Sequence, residues 1–331
     1  MICYTLQSAV DWPGIRTCLI TCLIVGLGTE GATIQKGTLR IAGALIGAAM
    51  GFLAILLLVP SMESITSLTL LVAAGTAVAA WVVLGSPRIA YAGVQIAFAF
   101  YVCVIQGFDP SWHFDTIRDR LIGILLGNVV ITVVFHYVWP LPAAGAMWTS
   151  FGSALRALAR LATVRSREDE QDATIETAGE LRLQAGHDFA TAQQMADQAG
   201  FELGAREEGL AARERLQRAA ADAQSTFLTQ LAIAHQRSDG VLAMPDAVDT
   251  GMQRFDAAVS DSLEAIAARA ERHAAPPIPD LRAHFAAAAA LVTESVARIA
   301  DPEVMAHLES RLALYRELVP RIERLAADVD A

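Results

Sequence analysis

Four stretches of the chain, residues 41–59, 64–87, 89–108 and 121–139, contain no Asp, Glu, Lys or Arg. A helix of about 20 apolar residues rises far enough to cross the roughly 30 Å hydrocarbon core of a bilayer, so these stretches predict four transmembrane helices. A fifth apolar stretch, about 12–28, is shorter and holds Arg16 near one end, where a long side chain can reach the headgroups. A re-entrant half-helix is the alternative there. Turn and breaker residues separate the stretches: "DWPG" at 11–14, Pro60, "GSPR" at 85–88, "FDP" at 108–110 and "WPLP" at 139–142. All five tryptophans (Trp12, Trp81, Trp112, Trp139, Trp148) fall at or near predicted span ends, the positions of an interfacial aromatic belt. The opening "MICYTLQSAV" is uncharged, too short to cross, and lacks the basic flank and cleavage site of a signal peptide. It reads as the tail of a truncated span, which makes the chain a fragment in this reading.

After Pro142 the pattern changes to apolar residues three and four apart. Met147, Phe151, Leu155 and Leu158 begin one such stripe. Met252, Phe255, Val259, Leu263 and Ile266 form a second, and Val304, Leu308, Leu312, Tyr315, Ile322, Leu325 and Val329 a third. "HAAPPIPD" at 273–280 is a break, with Asp280 placed to cap the next helix, and "SREDEQD" at 166–172 reads as an exposed charged turn. No strand-like alternation and no Gly-rich phosphate loop occurs, which argues against ATP hydrolysis by this chain. The predicted fold is all-α: a polytopic transmembrane bundle over 1–142, then a cytoplasmic helical domain over 143–331 of some five helices. The histidines of the second part (His187, His235, His273, His284, His307) are scattered and read as surface or capping residues.

Charge divides the chain at the same place. Six basic and six acidic residues lie before Met147; the remaining 19 basic and 29 acidic residues carry the whole net charge of −10. An acidic second part argues against a nucleic-acid partner, because phosphate binding needs clustered Lys and Arg. The connecting loops leave the orientation tied. Arg156, Arg160, Arg165 and Arg167, close behind the last span, break the tie and place the second part in the cytoplasm. Cys18 and Cys22 could share a helix face, but no His or carboxylate accompanies them at ligand spacing. They read as small apolar fillers, with no metal or cofactor expected.

One pattern occurs twice: "RIAGALIG" at 40–47 and "RLIGILLG" at 120–127 are both Arg-x-x-Gly-x-x-x-Gly. Helices in lipid associate by close backbone approach at small residues, so Gly43, Gly47 and Gly51, and Gly123 and Gly127, read as packing ridges. Arg40 and Arg120 are expected to cap these helices at the membrane surface. Polar groups inside spans are costly and mark pathway candidates. Gln95 lies mid-span, with Tyr91 and Arg88 on roughly its face and Phe98 and Phe100 available as aromatic lining. Arg88 is either a carboxylate holder or a surface anchor. Arg118, Asp119 and Arg120 read as an interfacial ion-pair cluster or as pathway residues. Asp119 and His136 are the proton-relay candidates by chemistry, with a satisfied interfacial histidine as the plainer reading of His136.

The combination of "DWPGIRTCLITC" (11–22), "KGTLRIAGALIGAAMG" (36–51), "RIAYAGVQIAFAF" (88–100), "IRDRLIGILLGNVV" (117–130) and "VFHYVWP" (134–140) resembles the fusaric acid resistance family, which overlaps the aromatic acid exporters, in its multidrug-efflux branch. The resemblance covers some 130 residues of the first part; the second part is similar only in position and helical character. It implies a bacterial inner-membrane efflux protein that exports aromatic acids or amphipathic drugs, with a periplasmic adaptor and an outer-membrane channel as partners. Members resemble two copies of a six-span block with a cytoplasmic helical domain, and this chain resembles the second copy alone. The residues and the resemblance together support three readings. The first is a proton-driven exporter of small aromatic or amphipathic molecules. The second is a passive anion channel selected by Arg118 and Arg120. The third is a non-transporting membrane scaffold that forms homo-oligomers or binds a partner through its helical tail. Enzymatic activity is not expected.

Overall fold

The computed structural model describes residues 4–5, 9, 16–26, 28–105, 114–139, 141–164, 171–202, 206–238, 245–296 and 302–330. Among these the chain forms eleven α-helices and no strand. It divides near Pro142 into two compact units.

The first unit holds α1 (Arg16–Val25), α2 (Glu30–Leu57), α3 (Ile65–Gly85), α4 (Ala90–Val104) and α5 (Phe114–Val133), which runs on into a π-helical turn, Val134–Val138. Among the described residues, three apolar stretches are long enough to cross a membrane: Glu30–Ser61, Ile65–Gly85 and Leu121–Val138. The third predicted span yields a helix of 15 residues, about 22 Å long, and the fifth stretch one of 10 residues. The first predicted span begins eleven residues earlier than expected. Thr29 is the N-cap of α2, its side chain accepting from the Ala32 amide at 3.2 Å, and Glu30 complements the helix dipole in the first turn. Arg40 is therefore the eleventh residue of α2 and not its cap; Arg120 likewise lies inside α5.

Large apolar side chains point outward, as they do when the solvent is hydrocarbon. On α3 only Gly75 and Ala79 are buried, while Ile65, Leu70, Trp81 and Leu84 are exposed. The small residues are inside. A methyl group at Gly43 would stand 2.5 Å from the Ala92 carbonyl oxygen, at Gly47 2.3 Å from that of Ile96, and at Gly51 2.4 Å from Cys103 Cβ. These contacts advance together along both chains, so α2 and α4 run parallel in close contact. Gly93 lies against Ala79 and Val83, and Gly75 against the Phe100 ring, which makes α3 antiparallel to α4. Gly123 lies on Thr17 and Gly127 on Thr21, pairing α1 with α5 in parallel. The glycines of the two copies of the Arg-x-x-Gly-x-x-x-Gly pattern thus pack on different partner helices.

The second unit contains six helices, one more than the stripes suggest: α6 (Ala143–Thr163), α7 (Gln171–Ala199), α8 (Arg206–Ser238), α9 (Asp246–Ala270), α10 (Leu281–Val296) and α11 (Pro302–Asp330). The additional helix comes from 171–238, where alanine supplies much of the buried face and large apolar residues are sparse. The three stripes meet in one core, with Phe151, Leu155, Phe255, Leu263, Leu308 and Tyr315 fully enclosed. Tyr315 Oη donates to Asp256 at 2.8 Å, satisfying a carboxylate buried in that core. Trp148 packs edge-on to Phe151 at 5.7 Å within this unit. Asp280 caps α10, its Oδ1 accepting from the Ala283 amide at 3.1 Å. Most of the charged turn at 166–172 lies outside the described residues; Gln171 and Asp172 open α7.

Candidate functional site

The buried face of α2 continues upstream of its glycines. Glu30, Thr33, Gly37, Arg40, Ala44, Gly47, Gly51 and Ala54 are all enclosed, and they recur three and four residues apart. The second half of this stripe is made only of small residues and the first half is polar. Charged groups therefore lie on the face where helices pack, away from the outward-facing apolar side chains. Burying an ion costs several kcal/mol unless partners compensate, so such groups mark a working site in a membrane helix.

Two clusters occupy this face. At the start of α2, Glu30 Oε1 lies 3.0 Å from His136 Nδ1. The Glu30 amide donates to the Leu141 carbonyl at 3.1 Å, fixing the helix start against the segment after α5. His136 sits within the π-helical turn, its ring edge-on to Tyr137 at 4.5 Å. A single π turn inserts one residue into a helix and re-aims the side chains beyond it, and such turns recur at functional sites. Two to three turns further along α2 lies the second cluster. Arg40, 3% exposed, donates through Nη1 to Tyr91 Oη at 3.0 Å, and Lys36 Nζ stands 5.0 Å from the centre of the same ring. Asn128, near the middle of the apolar stretch of α5, donates to the Gly37 carbonyl at 3.2 Å. Gln95 is buried where α4 crosses Gly43. A polar layer thus joins α2, α4 and α5 among otherwise apolar contacts.

The structure brings together some of the residues singled out from the sequence and separates others. Tyr91 and Gln95 belong to the layer. Arg88 is exposed in the turn before α4, where its amide donates to Ser86 Oγ at 3.3 Å; the buried cation beside Tyr91 is Arg40. Phe98 is 52% exposed and lines nothing enclosed, although it stands one turn from Gln95, and Phe100 is buried against Gly75. Arg118 and Asp119 pair at 3.0 Å at the opposite end of α5 from His136. Seventeen residues of helix, about 25 Å, separate Asp119 from His136, so the two proton-carrier candidates are not contiguous. The side chain of Arg120 lies outside the described residues.

Sequence reasoning does not single out Glu30, Lys36, Arg40 or Asn128 as pathway groups. A signal for Arg40 is present, because the three-four spacing of the glycines extends back through Gly37 to Thr33. Nothing in the local sequence points Asn128 at Gly37. Among the described residues no group of three or more His, Cys, Asp or Glu is placed to hold a metal ion.

The chain is similar to multidrug resistance protein MdtO from several bacteria. It is 32% identical to that of Escherichia coli K12 over 203 residues, 61% of this chain and 29% of the relative. With the Shigella flexneri protein it shares 32% identity over 203 residues, 61% of this chain and 30% of the relative. The protein of Escherichia coli O6:H1 is 35% identical over 170 residues, 51% of this chain and 25% of the relative. The chain therefore spans about three tenths of the length of these relatives. A family profile matches residues 14–331, taking in the second unit as well as the first. The expectation that the chain represents only the second of two copies finds no support in these matches. With nearly every residue inside the match and three helices apolar and long enough to cross a membrane, the chain belongs to the Fusaric acid resistance protein family and is a multi-pass membrane protein.

Proposed function

We propose that the chain works as part of an inner-membrane efflux transporter that exports aromatic acids or amphipathic drugs at the expense of the proton gradient. The observation that carries this reading is the burial of Glu30 and Arg40 on the glycine face of α2, where helices must slide or part for a solute to pass. The Glu30–His136 pair is the proton carrier in this reading: a carboxylate and an imidazole in contact exchange a proton without leaving an isolated charge in a low-dielectric setting. Asp119, paired with Arg118 at the other end of α5, is at most an entry or exit group. The second unit lies in the cytoplasm, and a periplasmic adaptor, an outer-membrane channel and further copies of the chain are the partners. The resemblance to MdtO, a multidrug resistance protein by name, supports the efflux reading.

Everted membrane vesicles test it. Imposing an inward-acid gradient should drive uptake of a fluorescent amphipathic dye, and an uncoupler should stop it. Dye uptake indifferent to the gradient, with ohmic anion currents in planar bilayers, selects the channel reading instead. There the buried Arg40 replaces exposed Arg118 as the selecting charge.

A further inference from the structure

The polar layer holds two atoms with unmet hydrogen-bonding capacity. Arg40 Nε and Asn128 Oδ1 are sealed from solvent, and neither has a hydrogen-bond partner among the described residues. One is a donor and the other an acceptor. They lie about one helical turn apart, since Asn128 is held on Gly37 and Arg40 is three residues further along the same face of α2. Buried polar atoms are almost always satisfied, by protein, water or ligand. The charge is equally incomplete: Arg40 and Lys36 bring two cations to the Tyr91 ring, and among the described residues neither pairs with a carboxylate. Glu30 lies ten residues, about 15 Å, back along α2 beside His136. An enclosed guanidinium without an anion is costly, and an organic anion is the natural complement to its flat fork of donors.

We propose that Arg40, Lys36, Tyr91 and Asn128 form a binding site for a small organic carboxylate that carries a neighbouring hydrogen-bond donor. The carboxylate accepts from Arg40 and from Lys36, and the ligand's own hydroxyl or amine donates to Asn128 Oδ1. The site is closed here, with Arg40 3% and Asn128 7% exposed, so the ligand enters when α5 lifts from Gly37. This deepens the efflux reading and rests on it for the ligand's route, though not for its binding.

The test is calorimetric binding to the purified chain in lipid nanodiscs, with 3-hydroxybenzoate, whose hydroxyl is free of its own carboxylate, benzoate and the neutral benzamide as probes. The site predicts the order 3-hydroxybenzoate, then benzoate, with no measurable benzamide binding. Arg40→Gln should weaken 3-hydroxybenzoate at least about tenfold, the scale of one charge-assisted hydrogen bond. Asn128→Asp supplies an internal carboxylate beside Arg40, so it should abolish binding of both acids while keeping or raising the thermal midpoint. A purely structural role for the layer would leave binding intact in Asn128→Asp. Benzamide binding as tight as benzoate, or unchanged acid binding in Asn128→Asp, overturns the site. Dye efflux in cells separates the two proposals. Efflux without acid binding sinks the site alone, and acid binding without efflux sinks the transport reading alone.

Discussion

Arg40 donates to Tyr91 Oη at 3.0 Å across fifty-one residues of sequence, and this bond fixes the height at which α4 stands against α2. The glycines set how close the two helices come; the arginine–tyrosine bond sets their register. Both depend on the same face of α2, so packing and the polar layer are one structural element.

Removing the tyrosine hydroxyl tests that coupling. Tyr91→Phe leaves a buried guanidinium without its one described partner, a loss of about 1–3 kcal/mol. The thermal midpoint in detergent should fall by several degrees, and cysteine crosslinking between α2 and α4 should lose its single register. An unchanged midpoint would mean that the guanidinium finds another acceptor.

Close approach at Gly47 makes an unambiguous packing test. A methyl group there meets backbone, the Ile96 carbonyl oxygen at 2.3 Å, which no side-chain rotation relieves. Gly47→Ala should therefore cost about 2–3 kcal/mol, in the range of overpacked cores, and lower the yield of folded protein. Gly85→Ala, with nothing within 4 Å of the added carbon, is the control and should behave as wild type. Size-exclusion profiles and midpoints of the two variants decide the matter.

The carboxylate–imidazole contact predicts a functional asymmetry. Glu30→Gln preserves shape and can still hydrogen-bond His136, so membrane insertion and midpoint should change little while gradient-driven dye export falls at least about tenfold, the range of lost proton-transfer groups. Asp119→Asn, at the far end of α5, should cost less. Export surviving Glu30→Gln at wild-type rates would remove the pair from the mechanism.

In the second unit, Arg282 grips Glu323 through two bonds of 2.8 and 2.7 Å. The hydrogen bond from Arg282 holds the Glu323 carboxyl below its ordinary value of 4.5, and the same bond pushes the guanidinium above its own ordinary value. The depressed carboxyl contributes stability that is fully present above its unfolded value and disappears as pH falls through the lower folded value. The raised guanidinium loses its contribution only above its unfolded value, at strongly alkaline pH. The pair is exposed, so the effect is small. Glu323→Gln should flatten the acid side of the stability curve below about pH 4.5 and leave neutral stability nearly unchanged. Midpoints measured across that range report it.

Much of this is legible in the sequence because one-dimensional signals carry it. Charge-free stretches, breaker residues and three-four stripes report solvent and periodicity directly, and they name the helical class, the long apolar helices and the core of the second unit. Where alanine replaces larger apolar residues, as along 171–238, the stripe fades, and one helix there escapes the count. Helix starts are misread where a charged first turn resembles a loop. Glu30, Lys36 and Arg40 look like membrane-surface residues until Thr29 is seen to cap the helix beneath them.

The sequence by itself determined which segments suit hydrocarbon and which suit water, because that preference is a sum over local side chains. It also determined that glycines four apart would invite close helix contact. Only the tertiary structure decided which helix each glycine ridge meets, that Asn128 reaches the Gly37 carbonyl, and that Glu30 and Arg40 face inward to His136 and Tyr91. Pairings across fifty to a hundred residues depend on how helices are rotated and shifted against one another, and no local pattern encodes that relation.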